Sequence, residues 1–393
     1  MNPADQPLRI LHLNSLLTGG GTDDQCVKLA AELHRLGQHV FIAGPSDRRF
    51  SPVIAQLGTP FFDTGSRASQ FQFILRAAKF IRREKFQIVH GHHGRDLWPS
   101  VMATRLAGTK PKLVLTRHMA KSPSSWASRH FLLGQCDAMI AVSGFVEKVL
   151  REGAYEPQSP EAERHVRPPL QGDHAKIHVI PGGIDTAKFR PMDAADKRRE
   201  LNLQPGDYAF AVVGGFDMPR GKGQREFLAA AALVREKIPQ ARFLIVGRGS
   251  MDELLKADIA RLGLGGKAWL TGQVTDMPQV MNAIDCLVHP QIGTEALGLV
   301  VCEAHACGKP VIASALDGIP EAFAAANYGR LVPQENIVEL ADAMASQADQ
   351  PKLTPAQAEE MHRRVEQAFS LEKMGVTTLQ FYRNLLSAPR CCH

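Results

Sequence analysis

The chain has 393 residues, of which 44% are hydrophobic and 22% charged, and it carries a net charge of +6. This balance excludes a disordered, collagen-like or coiled-coil chain, and the charge is a mild bias towards anionic partners, too small to imply nucleic acid. No stretch approaches the run of about 18 apolar residues that spans a bilayer, and MNPADQPLRILHLNS lacks the basic start and long apolar core of a signal peptide, so none is expected.

In chain order, Arg9–Asn14 predicts a strand, glycines follow at 19–21, and Gln25–Leu36 has a helical pattern. Gly20 and Gly21 serve either a tight turn or a close approach of backbone to phosphate or sugar. Strands are predicted next at His39–Ala43, Ile88–His90, Leu113–Thr116 and Ala138–Val142, and a helix at Gly144–Glu152. Between the first two of these, FQFILRAAKFIRREKF (71–86) places Arg76, Lys79, Arg82 and Arg83 on one helical side and Phe73, Ile74, Ala77, Phe80 and Ile81 on the other. Such a helix either covers a sheet with a solvated basic face or lies on an anionic membrane. His90, His92 and His93 follow a strand, as does His118, and no Cys or carboxylate partner for a metal is evident beside them.

Tyr155–Lys176 lacks apolar periodicity and reads as a surface excursion, and IPGGIDTAKFRP (180–191) suits a bend between domains. The pattern then resumes, with strands at Ala209–Val213, Arg242–Val246, Ala268–Thr271, Cys286–His289 and Pro310–Ala313. Helices fit Gln224–Lys237, Met251–Leu262, Met277–Ile284, Leu299–Cys307 and Leu371–Leu386, and Ser250 with Glu253 suggests a capping box at one of them. Strand and helix in alternation mean parallel sheets with helices on both faces. The expected fold class is therefore α/β, two doubly wound domains facing a cleft onto which the C-terminal strand ends open. The seven cysteines form no C-x-x-C pair, Cys391 and Cys392 read as an untied tail, and a reducing cytoplasm is the natural compartment.

Two segments carry the chemistry. In HPQIGTEALGLVVCEAHACGKPVIASALDGIPE (289–321), Glu295 and Glu303 are eight residues apart. If most of that interval is helical, they lie roughly 12 Å apart along the axis, too far to act on one bond but suited to gripping two ends of an extended ligand. Gly298, Leu299 and Val300 would open the helix and leave N–H groups for an anion. The other reading is an N-cap acid and a buried, salt-bridged glutamate. In VVGGFDMPRGKGQ (212–224), Arg220 and Lys222 precede a helix and either face solvent or hold phosphate. The sequence contains neither Asp-x-Asp nor G-x-G-x-x-G.

The order Glu295, Glu303, Ala306–Ala313 and Gly318–Glu321 resembles the Glu-x7-Glu, Ala-x-Gly-x-Pro-Val-Ile-Ala and Gly-x-x-Glu signature of the retaining glycosyltransferases of family four. IPGGIDTAKFRP, AVSGFVEKVLREGA (141–154) and VGRG (246–249) extend the likeness over nearly the whole chain. The resemblance implies the GT-B fold: Rossmann-like domains at 1–185, for acceptor, and 186–372, for donor, with 373–393 packing back on the first. It implies that Glu295 contacts the donor sugar, Glu303 the ribose, and Arg220 and Lys222 the diphosphate with Gly298, Leu299 and Val300. His118 would stand near the sugar, orienting it or stabilising the cationic transition state through its backbone carbonyl, and Gly20 and Gly21 would lie across the cleft. The family has Gly-Arg directly after the strand where this chain has Gly214-Gly215, so the arginine role passes to Arg220.

The implied activity is metal-independent transfer of a sugar, with retention, from a nucleotide diphosphate to a glycan or lipid-linked acceptor, with no cofactor. Lipopolysaccharide or surface-polysaccharide synthesis is the expected setting. The expected location is cytoplasmic and peripheral to the inner face of the plasma membrane through 71–86. The alternatives are a nucleotide-sugar epimerase or hydrolase on the same fold, and a catalytically silent nucleotide-sugar binding subunit.

Overall fold

The computed structural model describes residues 6–17, 19–46, 50–65, 69–155 and 166–388. Part of the expected excursion at 155–176, and both Cys391 and Cys392, lie outside the described residues. The chain divides into two compact units, Met1–Gly183 with Leu371–His393, and Ile184–Ser370.

The first unit is built on β1 (Arg9–Leu13), β2 (His39–Gly44), β3 (Phe61–Asp63), β4 (Ile88–Gly91), β5 (Lys112–Arg117) and β6 (Ala138–Ala141). A small antiparallel ribbon, β7 (Ala154–Tyr155) with β8 (Val166–Arg167), precedes β9 (Ile177–Val179). The main sheet runs β3-β2-β1-β4-β5-β6-β9 with every pair parallel. Its central strands are buried on both faces, which is why they read as apolar runs rather than as an alternation. The strand order reverses direction between β1 and β4, the place where doubly wound sheets take ligands.

Helix Gly21–Arg35 buries Val27, Ala30 and Leu33, and the last helix, Leu371–Ser387, packs on it with Met374, Leu379 and Tyr382 in the same core. Gln25 closes the unit at its exit point. Its buried side-chain amide donates to the Gly183 carbonyl and accepts from the Gly183 N–H, both at 2.9 Å.

Helix Gln70–Glu84 starts at a capping box between Ser69 and Gln72. Its apolar side does not face outwards: Phe73, Ile74, Ala77, Phe80 and Ile81 are buried, and the Phe80 ring lies against Phe41, Phe62 and Phe86. This corrects the membrane reading of 71–86, because the face that would enter lipid already covers the sheet. Two of the four cations are also occupied, Arg76 donating to the Thr64 carbonyl and Arg82 to those of Leu106 and Ala107.

The second unit repeats the winding. Its strands are β10 (Tyr208–Val213), β11 (Ala241–Val246), β12 (Ala268–Gly272), β13 (Cys286–His289), β14 (Val311–Ser314) and β15 (Gly329–Val332). They are ordered β12-β11-β10-β13-β14-β15, all parallel, with the reversal between β10 and β13. Edge strands β3, β9 and β15 escaped the sequence reading because they are three or four residues long and partly exposed, with little apolar signal. Helices Ile337–Ala348 and Pro355–Phe369 were missed although Asn336 and Thr354 cap them, the latter in a capping box with Gln357.

Candidate active site

In the second unit, the loops that leave the C-terminal ends of β10 and β13 meet at the sheet's switch point. Gly223 makes this possible. Its φ of +88° is left-handed, and a Cβ there would lie 1.9 Å from the Pro290 carbonyl oxygen, so the two loops touch backbone to backbone. The buried Gln224 supports the first loop from beneath, its Oε1 accepting from the Lys222 N–H at 2.7 Å. As a result, Lys222 Nζ stands 3.0 Å from Glu295 Oε2.

Glu295 is held by its main chain. Its N–H donates to Asp317 Oδ2 at 3.1 Å, and its carbonyl accepts from the Gly318 N–H at 3.1 Å. Gly318 has no room for a side chain, since a Cβ would lie 2.1 Å from the Ala296 carbonyl oxygen. Burial pushes the Glu295 carboxyl up, but Lys222, His289 and the Ala296 N–H outweigh it, and the group lies below the ordinary glutamate range. Glu295 is therefore a fixed carboxylate at neutral pH. His289, at the end of β13, is fully buried without a hydrogen-bond partner among the described residues. Burial and nearby Lys222 bring it down to about 4, so it adds no competing charge.

The helix after this loop is Leu299–Ala306, opened by Gly298 in a left-handed conformation with no side-chain cap. Its first turn contains no acidic residue, and Leu299 and Val300 are half-buried. The N-terminal N–H groups and dipole thus suit an anion. Between the two glutamates 299–303 are helical and 295–298 precede the helix, so the axial spacing expected for a helix running the whole interval does not carry over to Glu295. Glu303 lies in the helix itself, half-buried.

Arg220 is placed differently from Lys222. It is half-exposed and stands 3.7 Å from Glu335, so the structure joins Lys222, and not Arg220, to Glu295. Ser250 and Glu253 form no capping box: Ser250 Oγ accepts from the Met218 N–H, its own N–H donates to Asp217, and Met251 precedes the helix without a side-chain cap. The turn ties the β11 loop to the β10 loop.

Sequence reasoning also missed Asp317. Its backbone is left-handed at φ +51°, and burial raises its carboxyl to about 6, opposed by the Glu295 N–H and assisted by the Glu295 charge. A raised folded-state value means that protonation favours the folded form. The contribution is complete below the unfolded value of about 3.9 and is lost as pH rises through about 6. Asp317→Asn keeps an acceptor for the Glu295 N–H and tolerates the backbone angle. The variant is expected to gain on the order of 1 kcal/mol over the parent between pH 4 and pH 7, allowing for partial exposure. Urea unfolding across that range checks this, and parallel stability curves would refute it.

In the first unit, Gly20 precedes helix Gly21–Arg35, and a Cβ at Gly20 or Gly21 would meet nothing within 4 Å among the described residues. The loop after β1 is organised by buried acids that sequence reasoning did not single out. Asp23 accepts from Asn14 Nδ2 and from the Gly19 N–H, and Asp96 from the Ser15 N–H. Two carboxylates in the opening turn of a helix were the available signal.

His118 follows β5, half-buried, its Nε2 3.3 Å from His92 Nδ1. His92 Nε2 lies 2.7 Å from His12 Nδ1, and His90 bonds Tyr382 Oη and Thr116 Oγ1, both at 2.5 Å. Of the histidines after β4, His90 and His92 cluster with His12, whereas the His93 side chain accepts from the Arg95 N–H in a short 3₁₀ turn.

The architecture matches known proteins. Residues 19–158 match the family described as Glycosyltransferase Family 4, and 207–349 that described as Glycosyl transferases group 1. The D-inositol 3-phosphate glycosyltransferase of Nocardia farcinica is 31% identical over 83% of this chain and 76% of that protein. The lipopolysaccharide core biosynthesis mannosyltransferase LpsB of Rhizobium meliloti is 24% identical over 93% of this chain and 94% of its own. A D-inositol 3-phosphate glycosyltransferase of Segniliparus rotundus is 35% identical over 46% of this chain, and the match spans 42% of that protein. Among solved structures, a glycosyltransferase from Rickettsia africae superposes with a TM-score of 0.81 at 22% identity, over 98% of this chain and 100% of that one. Anabaena HepE in complex with UDP and glucose superposes with a TM-score of 0.78 at 20% identity, over 96% and 100%.

Proposed function

We propose, from the premise that this chain belongs to the family four glycosyltransferases and has their GT-B fold, that it transfers a sugar from a nucleotide diphosphate to a glycan or lipid-linked acceptor, with retention and without a metal. The observation that carries the reading is the Lys222–Glu295 pair beside the open N-terminus of helix Leu299–Ala306. Cleavage of a sugar–diphosphate bond gathers negative charge on the leaving diphosphate, which fixed cations and oriented N–H groups stabilise. The Lys222 ammonium and the N–H groups at Gly298, Leu299 and Val300 are assigned to that charge. As Lys222 turns to phosphate, Glu295 is released to accept hydrogen bonds from sugar hydroxyls. Glu303 is assigned the ribose and Arg220 an outer contact to diphosphate.

The anomeric carbon–oxygen bond breaks, the acceptor oxygen bonds that carbon on the same face, and the acceptor proton passes to the departing phosphate oxygen. His118 orients the sugar, and the first unit, with Gly20 and Gly21, receives the acceptor. An acceptor in lipopolysaccharide or surface-polysaccharide synthesis is supported by the likeness to the Rhizobium mannosyltransferase, whose name places it in lipopolysaccharide core biosynthesis. This setting is cytoplasmic. No described helix is long and apolar enough to cross a membrane.

The test is a thermal-shift screen of UDP, GDP and ADP sugars, followed by transfer assays with the stabilising donor. The expected product keeps the donor's anomeric configuration by NMR, and its rate is unchanged by EDTA. An inverted product, or loss of rate restored by a divalent cation, overturns the reading.

A further inference from the structure

Three histidines of the first unit form a line across adjacent strands. His12 belongs to β1, His92 follows β4, and His118 follows β5. The links are His12 Nδ1 to His92 Nε2, 2.7 Å, and His92 Nδ1 to His118 Nε2, 3.3 Å. The His92 ring packs against those of His12 and His90, with centroids at 5.0 and 4.0 Å. His90 does not compete for its protons, because both its nitrogens are taken by Tyr382 and Thr116. Burial lowers the proton affinity of all of these rings, His12 and His118 to about 3, so each is a neutral imidazole near pH 7.

A neutral imidazole carries one proton, so it donates once and accepts once. Two hydrogen bonds through three such rings leave only two arrangements, with all protons pointing one way or the other. The far end decides between them. His12 Nε2 is buried and has no hydrogen-bond partner among the described residues. If the protons pointed towards His12, that nitrogen would be an orphaned buried N–H, a rare and costly group. With the protons pointing outwards it is a bare lone pair. His12 then donates from Nδ1, His92 donates from its own Nδ1 to His118 Nε2, and the proton of His118 is left on Nδ1.

We propose that His12 and His92 are positioning residues that set the tautomer of His118, so that it offers an Nδ1–H donor to the substrate. The substrate role of His118 rests on the function proposed above, whereas the tautomer rests on this geometry and on the rings being neutral. His12, His90 and His92 also resemble a set of metal ligands, their nitrogens lying within 4.8 Å of one another. A shared ion with nitrogens at about 2.0–2.1 Å would have to part the His12–His92 hydrogen bond and draw His90 from its two partners.

The test is long-range proton–nitrogen NMR of the full chain labelled with 15N-histidine at pH 7, with His118 assigned through a His118→Gln sample, and elemental analysis of the same protein. The expected result is His118 protonated on Nδ1 in a metal-free protein. His12→Leu is expected to mix the His118 tautomers and lower kcat by about tenfold or more with donor KM little changed. His12→Asn, whose amide nitrogen takes the place of Nδ1, is expected to restore both. A proton on His118 Nε2 in the parent protein, an unchanged tautomer in folded His12→Leu, or a stoichiometric metal overturns the proposal. If His12→Leu does not fold, the parent spectrum alone decides. If transfer is never observed but the tautomer is as expected, the positioning stands and the functional reading falls.

Discussion

Glu295→Ala is expected to lower the transfer rate by about 10²–10³, the loss typical when one fixed electrostatic group is removed from a reacting centre. The effect should fall on kcat, because the carboxylate acts on the sugar as charge develops, while most of the donor's binding surface lies elsewhere. Folding should be little affected. The main-chain bonds that fix residue 295, to Asp317 and Gly318, do not use its side chain. The lysine left behind already has 41% of its side chain exposed and can turn to water. Steady-state kinetics beside circular dichroism distinguishes loss of chemistry from loss of structure. A folded variant that retained more than a third of the parent rate would remove Glu295 from the site.

Tyr382→Ala is expected to destabilise the first unit by about 3–5 kcal/mol, the usual cost of emptying a large aromatic site. Tyr382 is fully buried, and its hydroxyl bonds His90. Tyr382→Phe leaves the ring and removes that bond, so it should cost only about 1–3 kcal/mol. Hydrogen exchange is the direct measurement. Protection should fall in β1 and β4, which share that core, while β10 and β11 of the second unit keep theirs. Equal loss in both units, or loss in neither, would contradict the placement of the last helix.

The particular residues show why some of this was legible in advance. Lys222 and Glu295 could be nominated because each lies in a local string whose glycines, prolines and acids have recognisable order. Their separation could not, because Gly298 adopts a left-handed conformation that stops the helix from extending back to Glu295. The Ser250 cap failed for a related reason. A capping box is a local pattern, but this serine found a better partner on another loop. Asp317 and His289 carried no signal, since a carboxyl raised to about 6 or an unpartnered imidazole is produced by its surroundings and not by its neighbours in sequence.

The sequence by itself determined the alternation of strand and helix, and hence two parallel sheets, because the period of apolar residues is a property of neighbours along the chain. It also determined the family, through the order of short motifs. Only the tertiary structure decided which residues meet. Lys222 and Glu295 are 73 residues apart and His12 and His92 are 80 apart, brought together because β10 lies beside β13 and β1 beside β4. It likewise decided that the apolar side of helix Gln70–Glu84 covers a sheet, since an apolar stripe is the same in sequence whichever surface removes it from water.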